Sequence, residues 1–120
     1  MKYAINIINF GECGDALTLA GLARNAETAG WDGFFVWDHI AWDDRTMPMV
    51  DPWIALTAIA TNTRRIRIGL MVTPLARRRP WKFARETVSL DHLSGGRLTV
   101  GVGIGNAQAE FRNLGEAAEL

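Results

Sequence analysis

Cysteine is almost missing from this chain: Cys13 stands alone among 120 residues. One thiol cannot close an intrachain disulfide, and no spaced Cys/His set suggests a zinc site, so no metal is expected. A solitary cysteine fits a reducing compartment, and a cytoplasmic location is the expectation. Net charge is missing as well. Thirteen basic and thirteen acidic side chains cancel, leaving no overall field to attract nucleic acid or an anionic membrane. The one basic cluster, Arg77-Arg78-Arg79, is too short to change that. No apolar run approaches the roughly 20 residues that span a bilayer. The opening "MKYAINIINFGE" lacks the small-residue cleavage site of a secretory signal.

What remains has an ordinary globular composition, 48% hydrophobic and 22% charged, at a length that suggests one domain over residues 1–120. Short β-type runs alternate with longer helical ones. "YAINIINF" (3–10) reads as a strand, and Gly11 and Gly14 mark the turn after it. A helix over 15–30 follows, capped by Asp15 and ended by Gly30, with Leu19, Leu22, Ala23, Ala26 and Ala29 on one stripe. "GFFVW" is the second strand. "DPWIALTAIATNT" (51–63) opens with an acceptor and a proline suited to a helix start, and Ile54, Ala55, Ala58 and Ile59 form its buried face. "RIRIGLMV" (65–72) is the third strand. A Pro80-led helix runs to about Leu93 and closes on "SGG" (94–96). "RLTVGVGIG" (97–105) is the fourth strand, and a last helical segment runs from 107 to the end.

This β-α-β-α-β-α-β-α order predicts right-handed crossovers and a parallel sheet buried on both faces. Two architectures satisfy it: a small open doubly wound sheet, or part of a (β/α)8 barrel, which typically needs about 250 residues. Periodicity does not separate them.

In either architecture, ligands sit beyond the carboxyl ends of the strands. Those ends read Asn9-Phe10, Asp38-His39, Met71-Val72-Thr73-Pro74 and Gly103-Ile104-Gly105-Asn106. In "FFVWDHIAW" (34–42) an acid and an imidazole follow a continuous apolar run, placed to face a pocket. An imidazole, with a reference pKa of about 6.5, can exchange a proton near neutrality. A histidine satisfied by a neighbouring carboxylate is the competing reading, and position alone weighs the two evenly. Asp38 orients His39 or a ligand hydroxyl, or caps the turn. His92 reads as a solvated helix end.

"GVGIG" lets backbone approach a phosphate or a ring closely. It is not the dinucleotide fingerprint, since Asn106 stands where the third glycine belongs. The arginine run reads as a solvated basic loop ahead of a phosphate grip at the Pro80 helix. Of the five tryptophans, Trp37 and Trp53 read as packing residues, and Trp42 as a candidate for a pocket mouth. No Ser/His/Asp set or nucleophilic Cys/His pair is present.

Taken together, "AETAGWDGFFVWDH" (26–39), the stretch from "DPWIAL" through "RIGLMVTP", "LSGGR" and "GVGIG" (51–105), and "EFRNLGE" (110–116) resemble the bacterial luciferase-like family of flavin- and deazaflavin-dependent oxidoreductases. The resemblance implies the N-terminal half of a (β/α)8 TIM-type barrel, about four parallel βα units. It implies FMN or the deazaflavin coenzyme across the barrel mouth, and oxidoreductase or monooxygenase chemistry on a small-molecule substrate. His39 matches a strand-end histidine near the reacting centre and is the catalytic candidate. Asp38, Met71, Val72, Thr73, Gly105 and Asn106 are the cofactor-binding candidates. Met71-Val72 falls where relatives carry a non-prolyl cis peptide. Asn106 departs from relatives that place a carboxylate there as proton donor.

A complete relative would continue through four more strands. Truncation, with the chain inactive alone, is the favoured expectation. A half-barrel that pairs as a homo-oligomer and an open sheet that repacks alone are the others. A noncatalytic half-barrel that binds cofactor or serves in assembly is the alternative function, and a small dinucleotide-binding domain trails both.

Overall fold

The computed structural model describes residues 1–42, 46–105 and 108–116. Strands β1 (Ala4–Ile7), β2 (Gly33–Val36), β3 (Arg67–Pro74) and β4 (Leu98–Gly103) alternate with helices α1 (Ala16–Thr28), α2 (Pro52–Asn62), α3 (Pro80–Ser94) and α4 (Gln108–Asn113). All pairings are parallel and follow chain order, β1-β2-β3-β4. A doubly wound sheet reverses strand order at a switch point. Here there is no reversal, as in consecutive units of a barrel wall.

Register separates the two faces of the sheet. Ile5, Phe34, Ile68 and Leu98 align in one row. That row packs under Leu19 and Ala23 of α1, Leu56 and Ile59 of α2 and Leu90 of α3, and forms the core. The alternating row is Asn6, Phe35, Gly69 and Thr99. Position 69 admits no side chain, because a Cβ there would stand 1.6 Å from the Thr99 carbonyl oxygen.

Helix boundaries follow local chemistry. Asp15 accepts from the Thr18 amide at 2.7 Å. Asp51 accepts from the Trp53 and Ile54 amides, with Pro52 at the first helical position. Gly95 and Gly96 both take the left-handed conformation after α3, which only glycine adopts without strain. Two side chains then tie the units together. Glu27, at the end of α1, accepts from the amides of Arg64, Arg65 and Ile66 and fixes the entry to β3. Arg97 donates to the carbonyls of Ala60, Ile66 and Ser94 and to the Thr63 hydroxyl. Its charge complements the carbonyl ends of α2 and α3.

Several boundaries and faces differ from the sequence reading. β1 is shorter than 3–10, and Phe10 forms an isolated antiparallel bridge with Met49 instead. On α1 the buried set is Leu19, Ala20, Ala23 and Ala26, while Leu22 is at the rim. On α2, Ile54 is 61% exposed and Leu56 fully buried. That helix is sandwiched between its neighbours, so its buried face is broader than a single stripe. β3 extends past Val72 to Pro74. The last helix stops at Asn113, and Gly115 has a positive φ of 74°.

Candidate functional site

The site is built where β2, β3 and β4 end and α4 folds back over them. Asp38 follows β2 and is held beneath the surface. Its carboxylate accepts from the Thr73 hydroxyl at 2.5 Å and from Arg77 Nη2 at 2.9 Å, and it pairs with Arg78 Nη2. Arg77 Nη2 also reaches the Asp38 carbonyl at 2.6 Å. The Arg77 side chain is only 3% exposed. The arginine run is therefore not a solvated loop. Arg77 and Arg78 turn inward against a buried carboxylate, and only Arg79 keeps to the surface, as the residue before α3.

His39 is turned away from its neighbour Asp38. Its Nδ1 lies 3.2 Å from Glu110 Oε2, so Glu110 on α4 is the carboxylate that holds the ring. The other oxygen, Oε1, accepts from the amides of Ile40 at 2.6 Å and Ala41 at 3.0 Å. Arg77 Nη1 stands 2.7 Å from Oε2 and completes an ion pair. Beneath the loop, the buried Asn9 donates from its amide nitrogen to the carbonyls of His39 and Val50, both at 2.8 Å. The ring also stands edge-on to Trp42, with centroids 4.9 Å apart, and Trp42 stacks on Phe10.

Glu110 is 2% exposed in its side chain. Burial pushes its carboxyl up, but the His39 hydrogen bond, the Ile40 and Ala41 amides and the Arg77 charge outweigh it and bring the pKa down to about 2. A folded value below the unfolded one means stability that is fully present above pH 4.5 and lost as pH falls toward 2. The gap from 4.5 to about 2 corresponds to on the order of 3 kcal/mol. Burial also opposes the ionised form of Glu27, but its three amide bonds and Arg65 lower that pKa, so it adds to the same slope. The expected result is a denaturation midpoint that drops between pH 5 and pH 3, by less in Glu110→Gln than in the wild type. Equal drops in both would show that Glu110 is not responsible.

A cavity of about 400 Å³ opens beside this network, walled by Trp37, His39, Met71, Val72, Gly105 and Glu110 among others. Four of the sequence candidates, His39, Met71, Val72 and Gly105, thus face one space, and Met71 and Val72 are 44% and 42% exposed. The Met71–Val72 peptide is cis, at the place the resemblance indicated. Asp38 lies in the same wall with its side chain wholly covered. Thr73 is fully buried, its hydroxyl given to Asp38. Asn106 lies outside the described residues.

Glu110 and Arg77 escaped the sequence reading as site residues, and Asn9 stood in it only as a strand end. For Glu110 the available signal was an acid at the head of the "EFRNLGE" segment; for Arg77, its distance of a few residues past a strand end. Trp37 also lines the cavity rather than serving only as packing. A second concavity, about 550 Å³, opens at the opposite end of the sheet near Tyr3, Trp31 and Arg67. Its two carboxylates are committed to backbone amides, Asp32 to Tyr3 and Glu27 to the β3 entry. Among the described residues, no group of three His, Cys, Asp or Glu side chains could hold a metal ion, and no helix is long and apolar enough to cross a membrane.

Comparison with known proteins agrees with this fold. The 4-hydroxyprotoasukamycin monooxygenase of Streptomyces nodosus subsp. asukaensis is 35% identical over 94 residues, 78% of this chain and 25% of that protein. The coenzyme F420-dependent tetrahydromethanopterin reductase of Methanopyrus kandleri superposes with a TM-score of 0.79 at 27% identity, over 95% of this chain and 30% of that one. The FMN complex of a type II Baeyer-Villiger monooxygenase, the oxygenating constituent of 3,6-diketocamphane monooxygenase of Pseudomonas putida, does so at 0.68 and 25% identity, over 86% and 30%. The chain therefore spans about a third or less of the length of these relatives. Residues 12–120 match the luciferase-like monooxygenase family along nearly the whole chain, and the chain belongs to that family.

Proposed function

We propose that these residues form part of the active site of a flavin- or deazaflavin-dependent oxidoreductase or monooxygenase acting on a small molecule. The observation that carries the reading is the cavity wall itself. Exposed apolar Met71 and Val72 face the same space as the His39 ring and the glycines that end β4. Such a wall fits a planar tricycle. Apolar side chains offer one face of it a dry surface, and glycine backbone lets its edge come close. Bound there, a flavin or deazaflavin would supply a two-electron hydride donor or acceptor.

The chain's own residues do the rest. Met71 and Val72 support the ring, and Gly105 approaches its edge. Asn106 is placed by chain order to follow Gly105 and is proposed as a further contact. Asp38 and Thr73 act from below: their mutual bond and the two arginines hold the ends of β2 and β3 at fixed spacing, so their part in cofactor binding is to shape the wall. His39 exchanges a proton with the reacting group. The relatives named above are described with F420 or with FMN, and both cofactors are candidates here.

The test is a fluorescence titration of the intact protein with FMN and, in parallel, with the deazaflavin coenzyme. Saturable binding of one, weakened at least about tenfold by Val72→Asp, supports the reading, because a buried carboxylate against an apolar ring is strongly disfavoured. Absence of saturable binding to either overturns it.

A further inference from the structure

The His39–Glu110 contact determines more than where the ring sits. An ionised carboxylate can only accept hydrogen bonds, and Glu110 is kept in that form by the Ile40 and Ala41 amides that donate to Oε1 and by the Arg77 charge paired with Oε2, the oxygen that faces His39. At 3.2 Å from such an oxygen, Nδ1 is held there by donating its proton. In the neutral ring that leaves Nε2 without one, and no described group bonds Nε2. The ring is one of the cavity's walls.

We propose that Glu110 is the positioning residue of the reaction. It holds the proton of neutral His39 on Nδ1 and so presents an unprotonated Nε2 to the cavity. The inference rests on the reading of this cavity as the reaction site. In the forward step, a bond from hydrogen to a heteroatom of the substrate breaks, and an Nε2–H bond forms. The positive charge gained by the ring is balanced by the Glu110 carboxylate already bonded to its other nitrogen. Among the described residues, Asp38 is the other acid nearby, and its two oxygens are taken by Thr73, Arg77 and Arg78. Arg77 bridges the two carboxylates, so Glu110 is itself held rigidly. The carboxylate arrives from α4, 71 residues further along the chain than the histidine. Docking of that short helix and the protonation pattern of the site are therefore one arrangement.

The Glu110→Gln variant reverses the pattern while keeping size and shape. Its amide oxygen stays with the two aligned backbone donors of Ile40 and Ala41, which leaves an amide N–H₂ facing His39 Nδ1. Facing a donor, Nδ1 becomes the acceptor and the proton moves to Nε2. Long-range ¹H–¹⁵N correlation of the imidazole nitrogens, in the intact protein at alkaline pH, reads this directly and needs no turnover. The wild type is expected to show protonated Nδ1 and Glu110→Gln protonated Nε2. With the cofactor that binds, kcat is expected to fall by between about 10²- and 10⁴-fold, from the scale of general acid–base catalysis to that of an imidazole held in the wrong tautomer, with KM nearly unchanged.

A wild-type ring protonated on Nε2 overturns the proposal, and so does a variant that switches nitrogens yet turns over normally. The first of these needs no variant to fold. Failure of both cofactors to bind while the nitrogens switch as expected would remove the oxidoreductase reading and, with it, the reaction Glu110 is proposed to serve. Cofactor binding with no switch would leave the oxidoreductase reading standing and remove only the role of Glu110.

Discussion

His39→Ala in the intact protein is expected to lower kcat by about 10²–10⁴-fold, the range for loss of a positioned acid–base group, with only a modest loss of stability. The ring lies in the cavity wall and, among the described residues, makes one polar side-chain contact, to Glu110. It also stands against the rings of Phe10, Trp37 and Trp42, and such pairs contribute roughly 0.5–1.5 kcal/mol each. Glu110 keeps the two backbone amides and Arg77 when the ring is removed. Stability is therefore held mainly, though not wholly, by groups other than the one that does the chemistry. Steady-state kinetics beside a denaturant titration decides the matter: unchanged turnover would remove His39 from the mechanism, whereas a fall in stability to match the fall in activity would make it structural.

Asp38→Ala should behave in the opposite way, with a stability loss of about 3–5 kcal/mol, the cost of taking one partner out of a buried ion pair. The Asp38 side chain has no solvent exposure, and the Arg77 side chain it pairs with has 3%. Removing the carboxylate leaves a guanidinium in the interior with one acid fewer, and strands the Thr73 hydroxyl as well. Against a typical total of 5–15 kcal/mol, that is a large share. Asp38→Asn keeps the shape and one acceptor and should lose less. Chemical denaturation of both variants tests the ordering; an alanine variant within about 1 kcal/mol of wild type would mean that the cluster is dispensable to the fold.

The contrast between these neighbours shows which parts of the site were legible in the sequence. Asp38 and His39 stood out because an apolar strand ended abruptly in two polar residues. The parallel-sheet rule for ligand positions then gave them a direction. The sequence could not divide the labour between them. Adjacent residues leaving a strand point to opposite sides, so one went down into the arginines and the other went out to the cavity. Arg77 and Arg78 were misread because three consecutive arginines look solvated unless a buried acid is known to lie beneath them, and that acid is 39 positions away along the chain. Glu110 was missed for the same reason at greater range. The strands and the first three helices were easier, since caps and periodicity are local. Ile54 was an exception: which flank of α2 is covered depends on where its neighbouring helices pack.

Arg97 makes one more consequence of the fold visible. Its guanidinium bonds carbonyls at the end of α2, at the end of α3 and at the start of β3. Three segment ends thus share a single knot. Fraying at one of them slackens the others, so they should open as one cooperative unit rather than as three independent ones. In amide hydrogen exchange this corner would report a common opening rate across residues far apart in the chain, and a loss of that synchrony in Arg97→Lys, whose single point charge cannot span the same acceptors.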